Sequence, residues 1–361
     1  MTNTYRNKKP SSGLKYVWYL CASLILGSCS IVAFSSSPQT NRASATQVQR
    51  EQDLFIEKLQ NSQTAQDIHM ERWYREQGII GTSRISLCTS DESVGGRGLF
   101  WVNNDIAEEG DIIAFIPSKY VIAFPRIGKL ATAMEEESEI SWQAKLTTYI
   151  CSCLEDSKED CSSDRSNQWK NLVNSWSGGG PSAALSSSEY SLDEIKELAD
   201  SVGCSLDAVK EAIDTRYDCF TLDWHTVKQF NNKDKQHFGD LYSIVVSRVA
   251  RLGPEWHNQG GIIPLHDMSN HPPHHLDSNI DMLCIGDVRK MIGDDDFSIL
   301  IRALIEDEYD NIHLSDDDVL LVASRNIQPG EELWLKYKDG HEMDEKEKLL
   351  LMLQYGFPFH T

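Results

Sequence analysis

Strand-forming sequence in this chain comes in two blocks held apart by a long helical stretch, so a sheet built from both must close across that interval. In the first block, residues 79 to 124, β-branched and aromatic residues sit between Gly, Asn and Asp punctuation, which predicts short strands over 84–88, 99–102 and 112–117. The second block begins after Gly260, with strands expected at 319–323 and 332–337. Between about 125 and 240 the apolar spacing is helical, with candidates at 142–154, 168–176, 191–202 and 206–219, broken by the Ser/Gly-rich SWSGGGPSAALSSS. Ser191-Leu192-Asp193-Glu194 reads as a capping box. A helix over 47–77, stopped by Gly78, leads in, and a helical run over 344–354 closes the chain. The fold class is therefore α+β: small curled sheets interrupted by a helical insert.

The first 50 residues form a separate unit, a leader. Residues 16–34 (YVWYLCASLILGSCSIVAF) carry no charge, follow Lys8, Lys9 and Lys15, and would measure about 28 Å as a helix. That length spans a bilayer. With the positive charges in front, the N-terminus stays cytosolic and the body is delivered across a membrane, either through secretory-pathway entry or as a single-pass anchored protein. Residues 35–50 are rich in Ser/Thr, hold two Arg and lack acids; after Val32-Ala33-Phe34 this resembles the bipartite leaders of algae with complex plastids, which makes a plastid the alternative destination.

The net charge of -21 understates the acidity of the body, because the leader contributes six Lys/Arg and no Asp or Glu. Asp294-Asp295-Asp296 and Asp316-Asp317-Asp318 would repel phosphate backbones, so nucleic acid is not an expected partner and a basic protein is. The nine cysteines lack the paired spacings of a zinc site. Only Cys151, Cys153 and Cys161 cluster, with no fourth ligand at a recognisable distance. His266, Asp267, His271, His274 and His275 also fail as a metal set, since Pro272-Pro273 blocks the helix that would align them. No metal is expected.

Four stretches carry the chemistry. Gly95-Gly96-Arg97-Gly98-Leu99-Phe100 is a glycine-rich turn that leads into strand, not helix, which excludes a dinucleotide fingerprint but exposes backbone to a flat ligand. Asn270-His271 follows the apolar run Gly261-Ile262-Ile263-Pro264-Leu265, where polar side chains need partners or an outward path. Arg248 lies in the apolar stretch IVVSRV and needs an anion if it is buried. In Glu331-Glu332-Leu333-Trp334-Leu335-Lys336-Tyr337, after the turn Gln328-Pro329-Gly330, Tyr337 shares strand parity with Leu333 and Leu335 and is expected to face inward.

The order GGRGLF, helical insert, SRVAR, IIPLHDMSNH, ASRNIQPGEELWLKY, LLLMLQYGF resembles the SET-domain protein methyltransferases, in the branch typified by the RuBisCO large-subunit lysine methyltransferase. The resemblance covers about residues 68–361 and includes WYREQGI at 73–79. It implies a SET fold with a C-terminal pseudoknot, and a division into leader 1–50, helical lead-in 51–78 and SET domain 79–361 with its insert at about 125–240. It implies S-adenosylmethionine as cofactor, held by Gly96, Arg97, Gly98, Leu99, Arg248, Asn270, His271 and Tyr355, with Tyr337 as the catalytic residue and Asp267 orienting a substrate amine. The implied reaction is in-line methyl transfer to a lysine side chain of a protein substrate. Two alternatives accompany it: a histidine acceptor, or a catalytically inactive, membrane-tethered SET-like binding module. Two departures stand out. Pro272 replaces the family's usual Ser after Asn-His, and the chain stops soon after Phe357, so the family's C-terminal substrate-binding domain is expected to be missing.

Overall fold

Where the sequence predicts one lead-in helix over 47–77, the chain forms two, α1 (Arg42–Asn61) and α2 (Ala65–Glu76). Thr64 makes the break. Its hydroxyl accepts from the Asp67 backbone N–H at 3.2 Å, and the Asp67 carboxylate takes the Thr64 backbone N–H at 2.8 Å and hydroxyl at 2.7 Å, a capping box with Asp in the usual Glu position. The restart turns Met70, Trp73 and Tyr74 into the core. Gly78 then stops α2 with φ +74°, as expected. The structure, a computed structural model, describes residues 42–90, 97–124, 129–135, 140–154, 190–230, 234–251, 260–272, 276–293 and 314–335, with Leu349 and Leu353.

Four of the predicted strands form within two residues of their expected bounds. Strand β1 (Ile85–Thr89) pairs antiparallel with β2 (Arg97–Trp101), in the register Ile85 opposite Trp101. Strand β3 (Ile112–Ile116) pairs with β8 (Val319–Ala323), and β8 with β7 (Ile280–Cys284), a strand that the sequence pattern did not single out. The third sheet joins β4 (Ile122–Ala123) to β6 (Gly260–Ile262), and β6 to β5 (Ala250–Arg251). The fifth predicted strand, 332–337, is described as far as Leu335 and is held by isolated bridges. Two of the three sheets therefore close across the insert. A side-chain bond repeats the link: the Ser118 backbone N–H donates to Asp318 at 2.7 Å, 200 residues away.

The described insert contains α3 (Lys129–Glu135), α4 (Trp142–Leu154), α5 (Leu192–Val202), α6 (Leu206–Val227) and α7 (Lys235–Arg248). The capping box at Ser191 is present. Helix α6 runs eight residues beyond its predicted end at Cys219, because Phe220, Trp224 and Val227 keep the apolar spacing and pack inward. Likewise α7 outlasts the expected end of the insert near 240. Phe220, Phe238 and Tyr242 pack with ring centroids 5.4 to 6.2 Å apart and belong to the same core as β2, β3 and β8. The insert is thus welded to the sheets. Within it, α5 and the start of α6 stand apart in a satellite core, which Leu349 and Leu353 complete. Helix α8 (Ile285–Ile292) covers β7 and β8, and Leu349 and Leu353, within the run predicted over 344–354, are helical. The predicted helix at 168–176 lies outside the described residues.

Candidate functional site

After β6 the chain makes a strained turn. Leu265 has φ +70° and ψ −50°, a region that costs a side-chain-bearing residue roughly 1–3 kcal/mol, and it is buried. The strain reverses the chain into the single 3-10 turn His266–Met268, closed by Asp267 N–H on the Ile263 carbonyl at 2.9 Å and Ser269 N–H on the His266 carbonyl at 3.1 Å. All of 262–269 is buried; Asn270 and His271 emerge half-buried at the rim.

Asn270 meets three distant segments. Its side-chain nitrogen donates to the Arg97 carbonyl at 2.6 Å and to Glu332 Oε1 at 2.8 Å, while its backbone carbonyl accepts from Leu335 N–H at 2.9 Å. Two acceptors on one side fix which end of the amide is nitrogen. No donor among the described residues reaches Oδ1, so that oxygen is left for an incoming N–H or O–H. Segment 331–335 lies between two partners. On one edge Leu333 N–H donates to the Leu99 carbonyl at 2.7 Å, and on the other Asn279 N–H and its side chain bind Trp334 and Glu332 backbone groups at 2.6 to 3.0 Å. Parallel bridges of Asn270 with Trp334 and of Ile280 with Leu335 complete the crossing. Both faces of this segment are covered, so Glu332 and Trp334 are buried along with Leu333 and Leu335. Leu333 and Leu335 face inward as their parity predicts, and the opposite parity is buried as well, because a strand flanked on both edges and packed on both faces loses its polar side.

Glu332 is the residue that sequence reasoning missed. It is 7% exposed, accepts from the Ser90 hydroxyl at 2.6 Å and from Asn270, and lies over Gly98, where a Cβ would stand 2.0 Å from Oε1. The space that the missing side chain of Gly98 leaves is thus filled by a carboxylate and not open to a flat ligand from that side. Arg97 is likewise engaged: its guanidinium pairs with the buried Asp67 carboxylate of the α2 capping box. Leu99 is buried core.

Arg248 ends α7, where a cation suits the helix C-terminus. Nη1 donates to the Asp267 carbonyl at 2.7 Å and reaches the Met268 sulfur at 3.6 Å. Among the described residues no carboxylate pairs with it, although it is half-buried. Full burial, and after it the charge of the buried Asp267, drives the Tyr74 phenol well above its usual pKa. Burial pushes His266 the other way, down to about 4, and no hydrogen-bond partner among the described residues reaches its Nδ1. Behind the knot Glu71 accepts from Ser86 at 2.7 Å and Leu87 N–H at 2.6 Å, yet burial still raises its pKa.

The fold therefore brings Arg97, Gly98, Leu99, Arg248, Asp267 and Asn270 together, with His271 next in line. Gly96, Tyr337 and Tyr355 lie outside the described residues, as do His274, His275 and most of the leader, including 16–34. Among the described residues no three His, Cys, Asp or Glu side chains converge as a metal site, and no helix is long and apolar enough to cross a membrane. Cys151 and Cys153 are buried side chains of α4.

Comparison of the sequence with protein-family models and with curated proteins gives no match. Solved structures do match. The SET domain of LSMT bound to lysine and AdoHcy superposes with a TM-score of 0.54 at 15% identity, covering 81% of this chain and 57% of that one. Rubisco LSMT bound to AdoMet gives 0.50 at 14% identity, covering 82% and 57%. This chain spans little more than half the length of the solved chains it matches. Three small antiparallel sheets, two of them closed across a helical insert, with segment 331–335 laced between Leu99 and Asn270, make up a SET-domain fold, the fold of the Rubisco LSMT structures.

Proposed function

We propose that this chain is an S-adenosylmethionine-dependent protein-lysine N-methyltransferase. The observation that carries the reading is the pairing of an open Asn270 Oδ1 with a half-buried Arg248 that has no carboxylate partner among the described residues, linked through the 267–270 backbone. A zwitterionic nucleoside needs both: a cation for its carboxylate and acceptors for its N–H groups. The residues present fit. Arg248 would take the carboxylate, Asn270 and His271 would supply side-chain and backbone contacts, the main chain of Gly96, Arg97, Gly98 and Leu99 would wall the pocket, and Tyr355 would offer an aromatic face. When bound, S-adenosylmethionine supplies an electrophilic methyl group on a sulfonium. The LSMT SET-domain structure holds lysine and AdoHcy and the Rubisco LSMT structure holds AdoMet, and the likeness of fold supports the choice.

The chain's own contribution is positioning. A lysine amine with a pKa of about 10.4 is almost wholly protonated at neutral pH, so the acceptor channel must favour the neutral amine by desolvation. Tyr337 lies two residues beyond Leu335, whose N–H is bonded to the Asn270 carbonyl, so covalent geometry keeps its Cα within about 7 Å of that of Leu335. In this reading Tyr337 orients the amine and stabilises charge near the reacting carbon, and Asp267 helps hold the substrate.

Calorimetric titration with S-adenosylmethionine, followed by labelled methyl transfer to a cell lysate and hydrolysis of the products, tests the proposal. Binding with label in methyllysine supports it. Label in methylhistidine changes the acceptor, binding without transfer makes the chain a binding module, and no binding overturns the reading. Tyr337→Phe is expected to lower transfer at least tenfold with cofactor binding intact. The leader, in the same reading, carries the body across a membrane; residues 1–50 fused to a fluorescent protein would contradict this by remaining diffuse in the cytosol.

A further inference from the structure

We infer that Glu332 is a positioning residue that sets the orientation of the Asn270 amide and so decides which group Asn270 offers a ligand; the inference rests on the proposed S-adenosylmethionine site. An asparagine at a pocket rim can present either NH2 or carbonyl, and rotation about its last bond exchanges the two at little cost in shape. Here the exchange is blocked. The nitrogen faces the Arg97 carbonyl at 2.6 Å and Glu332 Oε1 at 2.8 Å, and a flipped amide would set its oxygen against two acceptors. One of those acceptors is charged and 7% exposed, where repulsion is little screened. Charge-assisted hydrogen bonds are about twice as strong as neutral ones, so Glu332 outweighs the carbonyl in holding the amide.

Glu332 is itself held. Ser90 donates to its Oε2 at 2.6 Å, its backbone carbonyl accepts from Asn279 Nδ2 at 2.7 Å, and its backbone bridges Phe100 of β2. The absence of a side chain at Gly98 makes room for it, since a Cβ there would overlap Oε1 and stand 3.1 Å from Asn270 Nδ2. The carboxylate reaches Asn270 through the nitrogen, on the side of the amide away from the open Oδ1. Its effect on a ligand passes through the amide.

The test is a double-mutant cycle read by S-adenosylmethionine affinity, with thermal unfolding as a control for folding. Glu332→Gln keeps an acceptor for Asn270, because the new amide nitrogen can donate to the Ser90 oxygen while that hydroxyl turns away; affinity is expected within threefold of wild type. Asn270→Asp places a carboxylate against both acceptors and is expected to weaken binding at least thirtyfold. In the double variant the nitrogen of the introduced glutamine donates to the introduced aspartate, and at least tenfold of the loss is expected to return. A double variant as weak as Asn270→Asp, or weaker, overturns the inference, since a merely structural glutamate would let the two losses multiply. Should Asn270→Asp fail to fold, Ser90→Ala decides: it removes the hydroxyl that holds Glu332 Oε2, and is expected to weaken binding three- to fivefold with the melting temperature nearly unchanged, whereas wild-type affinity overturns the inference. A wild-type chain that takes up no S-adenosylmethionine overturns the functional reading and this inference with it; a wild type that binds beside a cycle without coupling overturns the inference alone.

Discussion

His266 gives the sharpest test of how the knot is built, because its burial has a calculable consequence. The ring is 9% exposed, its Nδ1 meets no donor or acceptor among the described residues, and burial lowers its pKa from 6.5 to about 4. In the unfolded chain the imidazole takes a proton near pH 6.5; in the folded chain it stays neutral until about pH 4. The unfolded state therefore binds more protons across that window, so stability is fully present above pH 6.5 and falls as the pH drops toward 4. The gap is worth about 3 kcal/mol when fully expressed, and about 2 kcal/mol at pH 5 relative to pH 8. Glu71 opposes this, since a carboxyl with a raised folded pKa gains stability on acidification, so the wild-type pH profile alone mixes two signs. A difference measurement separates them. His266→Phe keeps an aromatic ring at this position, removes the titrating proton and removes an orphaned nitrogen whose burial costs about 1–3 kcal/mol. Urea unfolding at pH 8, 6.5 and 5 is expected to show the variant within about 1 kcal/mol of wild type, or above it, at pH 8, and to show the balance moving toward the variant by about 2 kcal/mol at pH 5. Parallel profiles for the two proteins would refute the reasoning, because they would mean that the imidazole titrates freely in the folded state.

Three other perturbations follow from the same contacts. Gly98→Ala puts a Cβ 2.0 Å from Glu332 Oε1; a loss of about 2 kcal/mol in urea unfolding is expected from overpacking, with at least tenfold weaker S-adenosylmethionine binding in the folded fraction. Asp67→Ala removes the buried carboxylate that pairs with the Arg97 guanidinium and unpicks the α2 cap, for an expected loss of about 3 kcal/mol, and a loss below about 0.5 kcal/mol would show the pair to be dispensable. The acidic body predicts that affinity for a basic substrate peptide falls as salt rises from about 50 to about 300 mM, checked by titration at several ionic strengths; a flat response would remove the electrostatic argument.

Periodicity resolved what is local. Helix α4 and strand β8 have the bounds their apolar patterns predict, and the Ser191 cap is a short-range motif that needs no tertiary knowledge. The misses share another cause. Thr64-x-x-Asp67 broke the lead-in helix because Asp67 has a second task, pairing with Arg97 from a distant strand, which no window of sequence reveals. Glu332 escaped notice because alternation assigns it to solvent, and only the flanking of 331–335 on both edges buries it. Its sole sequence signal was a second acid after a Pro-Gly turn, in a chain whose Asn-His pair required partners. For Asn270, by contrast, the demand was legible: a polar pair after GIIPL needed acceptors, and it found two. Strand β7, IDMLC, alternates polar and apolar too briefly to stand out, and it forms because β8 offers it a full edge.

The site is where long closures of the chain meet. Asn270 bonds to Arg97 across 173 residues and to Glu332 across 62, and Ser90 bonds to Glu332 across 242. Loop-closure entropy rises only with the logarithm of length, about 0.6 kcal/mol per doubling, so a helical insert of this size adds little to the thermodynamic cost of bringing Arg97 to Asn270. The insert also offsets that cost, since Tyr149, Phe220, Phe238 and Tyr242 join the core that the sheets share. Rate is another matter, because contacts of such sequence separation form after the local ones. Helix caps at Ser191 and Ser205 and the β1–β2 hairpin can form early, whereas the crossing of 331–335 over Asn270 requires both sheets that span the insert. The contacts made at that crossing exist only in the fully folded chain, which is why its polar groups, Glu332 and Asp67 included, can be buried without exposing a half-formed charged core along the way.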